Sequence, residues 1–174
     1  MTPLPYRLRL CTHGDEDALS LVAGASVLEA FAGILTGADL LAHCKKNNSP
    51  QAFAKYLDLP NAQVVVAEAQ PGDAPVGYIV CCEPDLPGAL EGDYELRRIY
   101  LLHRFQGSGI GRALMDHAIA RTRELGRLRL TLGVYGQNHD AIRFYQKAGF
   151  TIVGERYFTV GVTTHHDAVM AREV

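Results

Sequence analysis

From Tyr6 to Thr12 apolar and polar residues alternate, with Tyr6, Leu8 and Leu10 on one side and Arg7 and Arg9 on the other, the pattern of a half-buried strand. Thr12-His13-Gly14-Asp15 then has the form of a capping box, whose hydroxyl and carboxylate would satisfy two N–H groups at the start of a helix over 15–31. Leu21, Ala25, Leu28 and Ala32 recur at helical spacing and predict its core stripe. Between Gly33 and Pro60 the pattern is interrupted by Gly33, Gly37 and Ser49-Pro50, and two short helical segments are expected, 39–46 and 50–57.

Two β-branched runs, 62–69 and 76–83, flank Gln70-Pro71-Gly72-Asp73-Ala74-Pro75 and predict a hairpin with a loose turn. A third strand, 94–102, completes a meander. The amphipathic run 110–125 directs Ile110, Leu114, Ala118 and Leu125 inward, exposes Arg112, Arg121 and Arg123, and stops at Gly126. A strand over 128–134 follows, and strand, helix, strand in that order implies a right-handed crossover that leaves 94–102 and 128–134 as parallel neighbours. Asn138 suits the N-cap of a helix ending at Gly149. The segments 150–159 and 164–172 form a closing hairpin. This order predicts an α/β fold (an α+β mixed sheet) with helices on both faces.

The chain has 174 residues, 48% of them hydrophobic, and a formal net charge of -2, which fits one domain over 1–174. No apolar run approaches the roughly 18 residues of a membrane span. Met1-Thr2-Pro3-Leu4-Pro5 lacks the features of a signal peptide, so a cytoplasmic protein without a membrane partner is expected. Cys11, Cys44, Cys81 and Cys82 show no Cys-x-x-Cys spacing and read as small hydrophobes. Charge is uneven: arginines from Arg97 to Arg143 crowd the second half, and Glu83, Asp85, Glu91, Asp93 and Glu95 lie just upstream. The basic side could meet an anionic cofactor and the acidic side a cationic acceptor, or both could be solvated surface. Net negative charge, and arginines not interleaved with exposed aromatics, disfavour nucleic acid.

The chemistry centres on Gln106-Gly107-Ser108-Gly109-Ile110-Gly111, which joins a predicted strand to a predicted helix. The first N–H groups of a helix lack acceptors, the macrodipole is positive there, and glycine lets a phosphate approach closely. Residues 106–112 read as a pyrophosphate cradle, although glycines in such turns also serve sterics alone. The spacing is not the dinucleotide fingerprint, and no Lys-Ser or Lys-Thr pair follows as in a P-loop.

Gln106-x-x-Gly109-x-Gly111, followed by Asn138-x-x-Ala141 and Phe144-Tyr145-Gln146-Lys147-Ala148-Gly149-Phe150, resembles the GNAT family of N-acetyltransferases, over roughly 60–172. The resemblance implies a GNAT-like acyltransferase fold and transfer of the acetyl group of acetyl-coenzyme A to a primary amine of a small molecule, polyamine or amino-acid-like, or of a peptide. A non-catalytic acyl-coenzyme A binding or sensor domain is the alternative. It implies that the main chain of Ile99, Tyr100 and Leu101 pairs with the pantetheine arm. Gly107, Ser108, Gly109, Ile110, Gly111 and Arg112, behind Gln106, would surround the pyrophosphate. Asn138 would contact the cofactor as well as cap its helix, and Tyr145 would be the general acid for the departing thiolate, unless it only packs in the stripe of Ala141 and Ala148.

Relatives that acetylate protein N-termini carry a glutamate five positions before the asparagine, and here that position is Gly133. Glu95 is the substitute base, or else a solvated strand carboxylate. His165-His166-Asp167 lacks the spacing of a metal site, and no metal is expected. The closing segment, Phe158-Thr159-Val160-Gly161 with Asp167-Ala168-Val169-Met170, resembles that of polyamine-acetylating relatives. A homodimer is left open.

Overall fold

The computed structural model describes residues 5–160 and 163–174. Met1–Leu4, Gly161 and Val162 lie outside it, as do the side chains of Phe158, Val160 and Thr163, so the leader-peptide reading and much of the polyamine-like segment fall outside the described residues. The order of elements is β1 (Tyr6–Leu10), α1 (Glu16–Phe31), α2 (Gly37–Asn47), α3 (Pro50–Asp58), β2 (Gln63–Ala69), β3 (Ala74–Cys82), β4 (Asp93–Leu101), α4 (Ile110–Glu124), β5 (Arg129–Tyr135), α5 (His139–Lys147), β6 (Thr151–Val160) and β7 (Thr163–Glu173). Among the described residues the strands form one seven-stranded sheet in the order β1-β2-β3-β4-β5-β7-β6. β4 and β5 run parallel, as the crossover around α4 requires, and the other neighbours are antiparallel.

Each face of the sheet has its own core. Val65, Ile79, Tyr94, Leu96, Leu130 and Leu132 pack with Ile110, Leu114 and Ala118 of α4 and with Tyr145 of α5. Val64, Val66, Tyr78 and Val80 point the other way and pack against Leu19, Val22 and Ala23 of α1 and Phe53 of α3. Strand alternation thus feeds both cores from the same strands. Thr36 and Ser49 cap α2 and α3 by accepting the N–H groups of Asp39 and Ala52.

Three expectations need correction. The stripe Leu21, Ala25, Leu28 and Ala32 is not the core of α1: Leu21 and Leu28 are 68% and 57% exposed, and Leu19, Val22, Ala23 and Val27 are buried instead. The capping box is half formed. The Asp15 carboxylate accepts the Thr12 N–H at 2.8 Å, but the Thr12 hydroxyl caps nothing, and both Asp15 oxygens also hold Arg9. Arg121 is half-buried rather than fully exposed and pairs with Glu124.

β4 carries a bulge that the sequence did not announce. Leu96 stands opposite Cys81 and Arg98 opposite Val80, so Arg97 is an extra residue. The insertion reverses the strand's phase: Tyr94 and Leu96 before it and Ile99 and Leu101 after it all face α4, leaving Tyr100 with the core under α1 and α3. Cysteines sit where their chemistry is muted. Cys81 and Cys82 are buried, and burial pushes the Cys82 thiol up to about 11 and the half-buried Cys11 thiol up to about 12.

Candidate active site

β4 and β5 pair only at Asp93–Arg129, Tyr94–Leu130 and Glu95–Thr131. Beyond that point β4 continues to Leu101 on β3, and β5 to Tyr135 on β7, with no ladder between them. The sheet is split there. The Leu102 N–H donates to the Val76 carbonyl at 2.9 Å. Antiparallel partners alternate between bonded and non-bonded pairs, so Tyr100 also directs its backbone groups at β3, while Ile99 and Leu101 direct theirs into the split. The Leu101 carbonyl is approached by the Gln106 amide at 3.4 Å. Of the three residues expected to receive an extended arm, two therefore offer an open edge.

Immediately beyond this edge stands the N-terminus of α4. The Ala113 N–H is the first in the helix to find an acceptor, the Gly109 carbonyl, at 3.0 Å, and no side chain caps the helix. The N–H groups of Ile110, Gly111 and Arg112 have no acceptor among the described residues, which leaves an anion site. Gly107 and Gly109 have φ of 75° and 90°, and a Cβ built on either meets nothing within 4 Å. The space over them is open, as a phosphate requires. Gly111 differs: its Cβ would face Phe144 at 3.8 Å and Leu101 at 3.9 Å, packing rather than cradle. The Ser108 hydroxyl donates to the Phe105 carbonyl at 2.5 Å and shapes the turn. The Arg112 guanidinium is turned toward Asp116 at 3.3 Å.

α5 is the opposite flank. The Asn138 side-chain oxygen accepts the Ala141 N–H at 3.1 Å, and its exposed NH₂ group has no protein acceptor among the described residues. Tyr145 is buried with its ring between Phe144, 5.5 Å away, and Phe150, 6.0 Å away. Burial pushes its phenol well above the ordinary tyrosine range, with Tyr100 adding to the effect. No protein acceptor for its hydroxyl occurs among the described residues, and burial keeps the phenol protonated.

Glu95 is placed differently from its expected role. It is buried at 3% exposure, one oxygen accepts the Arg97 Nε at 2.9 Å, and the other accepts Arg97 Nη2 at 2.9 Å and the Asp85 N–H at 2.7 Å. This carboxylate fastens the bulge and the 83–92 loop, which speaks against its assignment as base. The acidic run, read either as an acceptor face or as solvated surface, divides: Asp85 and Glu91 are exposed. Asp93 is held by two bonds of 2.8 Å from Arg129, and Glu83 by Arg127 at 2.5 Å, at the end where the two strands are joined.

Gly133 also acquires a reason. A Cβ there would lie 2.8 Å from the guanidinium of Arg156, which bonds Asp167 at 3.0 Å on the face of the split away from α4. His165 stacks edge-on against Tyr135 at 5.4 Å, and His166 pairs with Glu155 at 3.0 Å. With Asp167 on Arg156, these three neighbours diverge, and the described residues contain no group of three metal-ligating side chains. No helix among them is long and apolar enough to cross a membrane.

The sequence model of the acetyltransferase (GNAT) family matches residues 35–150. An uncharacterized N-acetyltransferase of Mycobacterium bovis is 34% identical over 160 residues, covering 92% of this chain and 98% of that protein. A mycothiol acetyltransferase of Propionibacterium freudenreichii is 32% identical over 86% of this chain, which spans 45% of that longer protein. Among solved structures, the PaiA N-acetyltransferase of Thermoplasma acidophilum, in complex with coenzyme A, superposes with a TM-score of 0.78 at 22% identity, covering 98% of this chain and 100% of that one. The edge, the glycine turn and the relatives agree: the chain belongs to the acetyltransferase (GNAT) family and is an acetyl-coenzyme A dependent N-acetyltransferase.

Proposed function

We propose that the split between β4 and β5 is the place where the acetyl group passes to a primary amine of a small molecule or peptide, with residues 1–174 working as one domain. The observation that carries this reading is the end of the β4–β5 ladder at Glu95 and Thr131, which leaves Ile99 and Leu101 open beside the uncapped start of α4. Acetyl-coenzyme A supplies an activated thioester carbonyl. Ile99 and Leu101 hold its pantetheine arm as a further strand would be held, and their N–H groups are the donors available to the carbonyl oxygen as charge develops on it. The turn at Gln106 to Gly109 and the N–H groups of Ile110, Gly111 and Arg112 take the pyrophosphate. Asn138 caps α5 through its oxygen and turns its NH₂ group to the cofactor.

Tyr145 donates the phenolic proton to the leaving sulfur. The amine, with a reference pKa of about 10.4 if lysine-like, loses its proton to water rather than to Glu95, whose oxygens are engaged by Arg97 and Asp85. A screen for free thiol released from acetyl-coenzyme A with a panel of amines tests the reading. Release with one or more amines and rates rising with pH are expected. Binding without release across the panel would instead mark a coenzyme A sensor.

A further inference from the structure

On the face of the sheet away from α4, the phase reversal at Arg97 puts Arg98 beneath the junction of α1, α2 and α3. Its Cζ lies 5.5 Å from the Phe53 ring and 5.1 Å from the Tyr56 ring, and its Nη1 donates to the Asn48 side-chain oxygen at 2.9 Å. Its neighbour Arg97 is matched by Glu95, yet no carboxylate among the described residues lies within ion-pair distance of Arg98. A half-buried guanidinium without an anion is an expensive arrangement, because neither aromatic faces nor an amide oxygen neutralises it.

The same guanidinium forms the inner wall of a groove of about 580 Å³ that Lys45, Lys46 and Lys55 line together with Tyr56 and Ser49. Among the described lining residues none is acidic, so four cationic side chains converge in a chain whose net charge is -2. Buried rings run from the groove toward β4: Phe53, beside the Arg98 guanidinium, lies 5.6 Å from Tyr78. Tyr78 in turn lies 5.8 Å from Tyr100, which sits between the two open residues of β4, and its buried hydroxyl lies beside the Arg98 guanidinium. A guanidinium flanked by ammonium groups suits a bidentate oxyanion.

We propose that the amine acceptor carries an anionic group, a carboxylate or a phosphate, which docks in this groove against Arg98 while its amine reaches the split. The inference rests on the acetyl-transfer reading above and narrows its acceptor: polycationic amines are repelled by the groove rather than drawn to it.

The test uses the full chain, acetyl-coenzyme A and a series of ω-amino acids of increasing length, each paired with its amide, beside aminoalkyl phosphates paired with the amino alcohols. For at least one length the acid or the phosphate is expected to exceed its neutral partner tenfold or more in kcat/KM, and whichever does so names the anion. Lys45→Ala, Lys46→Ala and Lys55→Ala combined should raise KM for that acceptor several-fold with little change in kcat. Arg98→Gln should abolish the preference, and Arg98→Lys should restore part of it. Melting temperatures accompany each variant. If Arg98→Gln fails to fold, the triple lysine variant, whose side chains are exposed, reads the same preference. Thiol release that is equal for neutral partners, or confined to neutral or cationic amines, overturns the inference and leaves acetyl transfer standing. No release with any amine overturns both.

Discussion

Strands β4 and β5 are joined at one end and parted at the other, and their polar groups are treated in opposite ways at the two ends. At the joined end, Asp93 meets Arg129 and Glu95 meets Arg97, each through two bonds of 2.8–2.9 Å. At the parted end, the backbone of Ile99 and Leu101, the first N–H groups of α4, the Tyr145 hydroxyl and the Arg98 guanidinium lack the partners that their chemistry calls for. The Asp93–Arg129 pair ties β4 to β5 and the Glu95–Arg97 pair fixes the bulge within β4; unsaturated groups clustered a few residues away are what a substrate can satisfy. The large charges visible in the sequence are mostly scaffold, and the binding groups are mostly backbone.

The sharpest break of this contrast comes from Tyr145→Phe. The ring stays between Phe144 and Phe150, so melting temperature should hardly move, while kcat falls on the order of ten- to ten-thousand-fold, the lower end allowing for water as donor. Full kcat in a stable variant would remove the residue from the mechanism. At the joined end the opposite outcome is expected. Asp93→Ala strands Arg129 and should destabilise by about 2–3 kcal/mol, less than for a fully buried pair because Arg129 is partly exposed, without altering kcat/KM per folded molecule.

The same pair sets a pH signature. Burial alone would raise the Asp93 carboxyl, but Arg129 and the Leu90 N–H outweigh it and hold the group below the usual carboxylate range. Its contribution is therefore complete above the unfolded value of about 3.9 and is lost as pH falls through the lower folded value. Denaturation curves of wild type and Asp93→Ala should differ by a constant amount from neutral pH down to about 4 and converge below it. Parallel curves down to the most acidic pH would remove the pair from the acid response.

Smaller effects separate the glycines. Gly109→Ala strains a residue at φ 90° and projects a methyl into the open cradle, so calorimetric affinity for acetyl-coenzyme A should fall roughly tenfold, with about 1–2 kcal/mol lost in stability. Gly111→Ala, in ordinary contact distance of Phe144 and Leu101, should change stability and affinity by only a few tenths of a kcal/mol, helix propensity offsetting the closer packing. Equal affinity losses in both variants would mean that the cradle extends over Gly111 as well.

Much of this was legible in residue order. The strands and helices follow from alternation, caps and glycine stops, and the parallel pairing of β4 with β5 follows from the handedness of the crossover. The glycine turn opens α4, Asn138 caps α5 and Tyr145 stands on α5, each in the element that residue order predicted for it. The inner face of α1 was not legible because the helix is apolar all round: Leu21 and Leu28 have the same spacing as a core stripe and still face outward. The bulge at Arg97 was hidden for a related reason, since 94–102 reads as one strand in either phase. Losing the bulge meant losing the sides on which Glu95, Arg98 and Tyr100 stand. Which of two adjacent arginines would find a carboxylate depends on that geometry and on no local pattern.

Residue-resolved amide exchange of β4, with and without acetyl-coenzyme A, bears most directly on the claim that the split is the binding edge. Without ligand, the amides of Tyr100 and Leu102, which face β3, should be protected, and those of Ile99 and Leu101 should exchange quickly. On addition of acetyl-coenzyme A, Ile99 and Leu101 should become protected together with Ile110 and Gly111, while Asp93 to Glu95 stay unchanged. Saturating binding that left Ile99 and Leu101 exchanging as before would contradict the account and place the cofactor elsewhere.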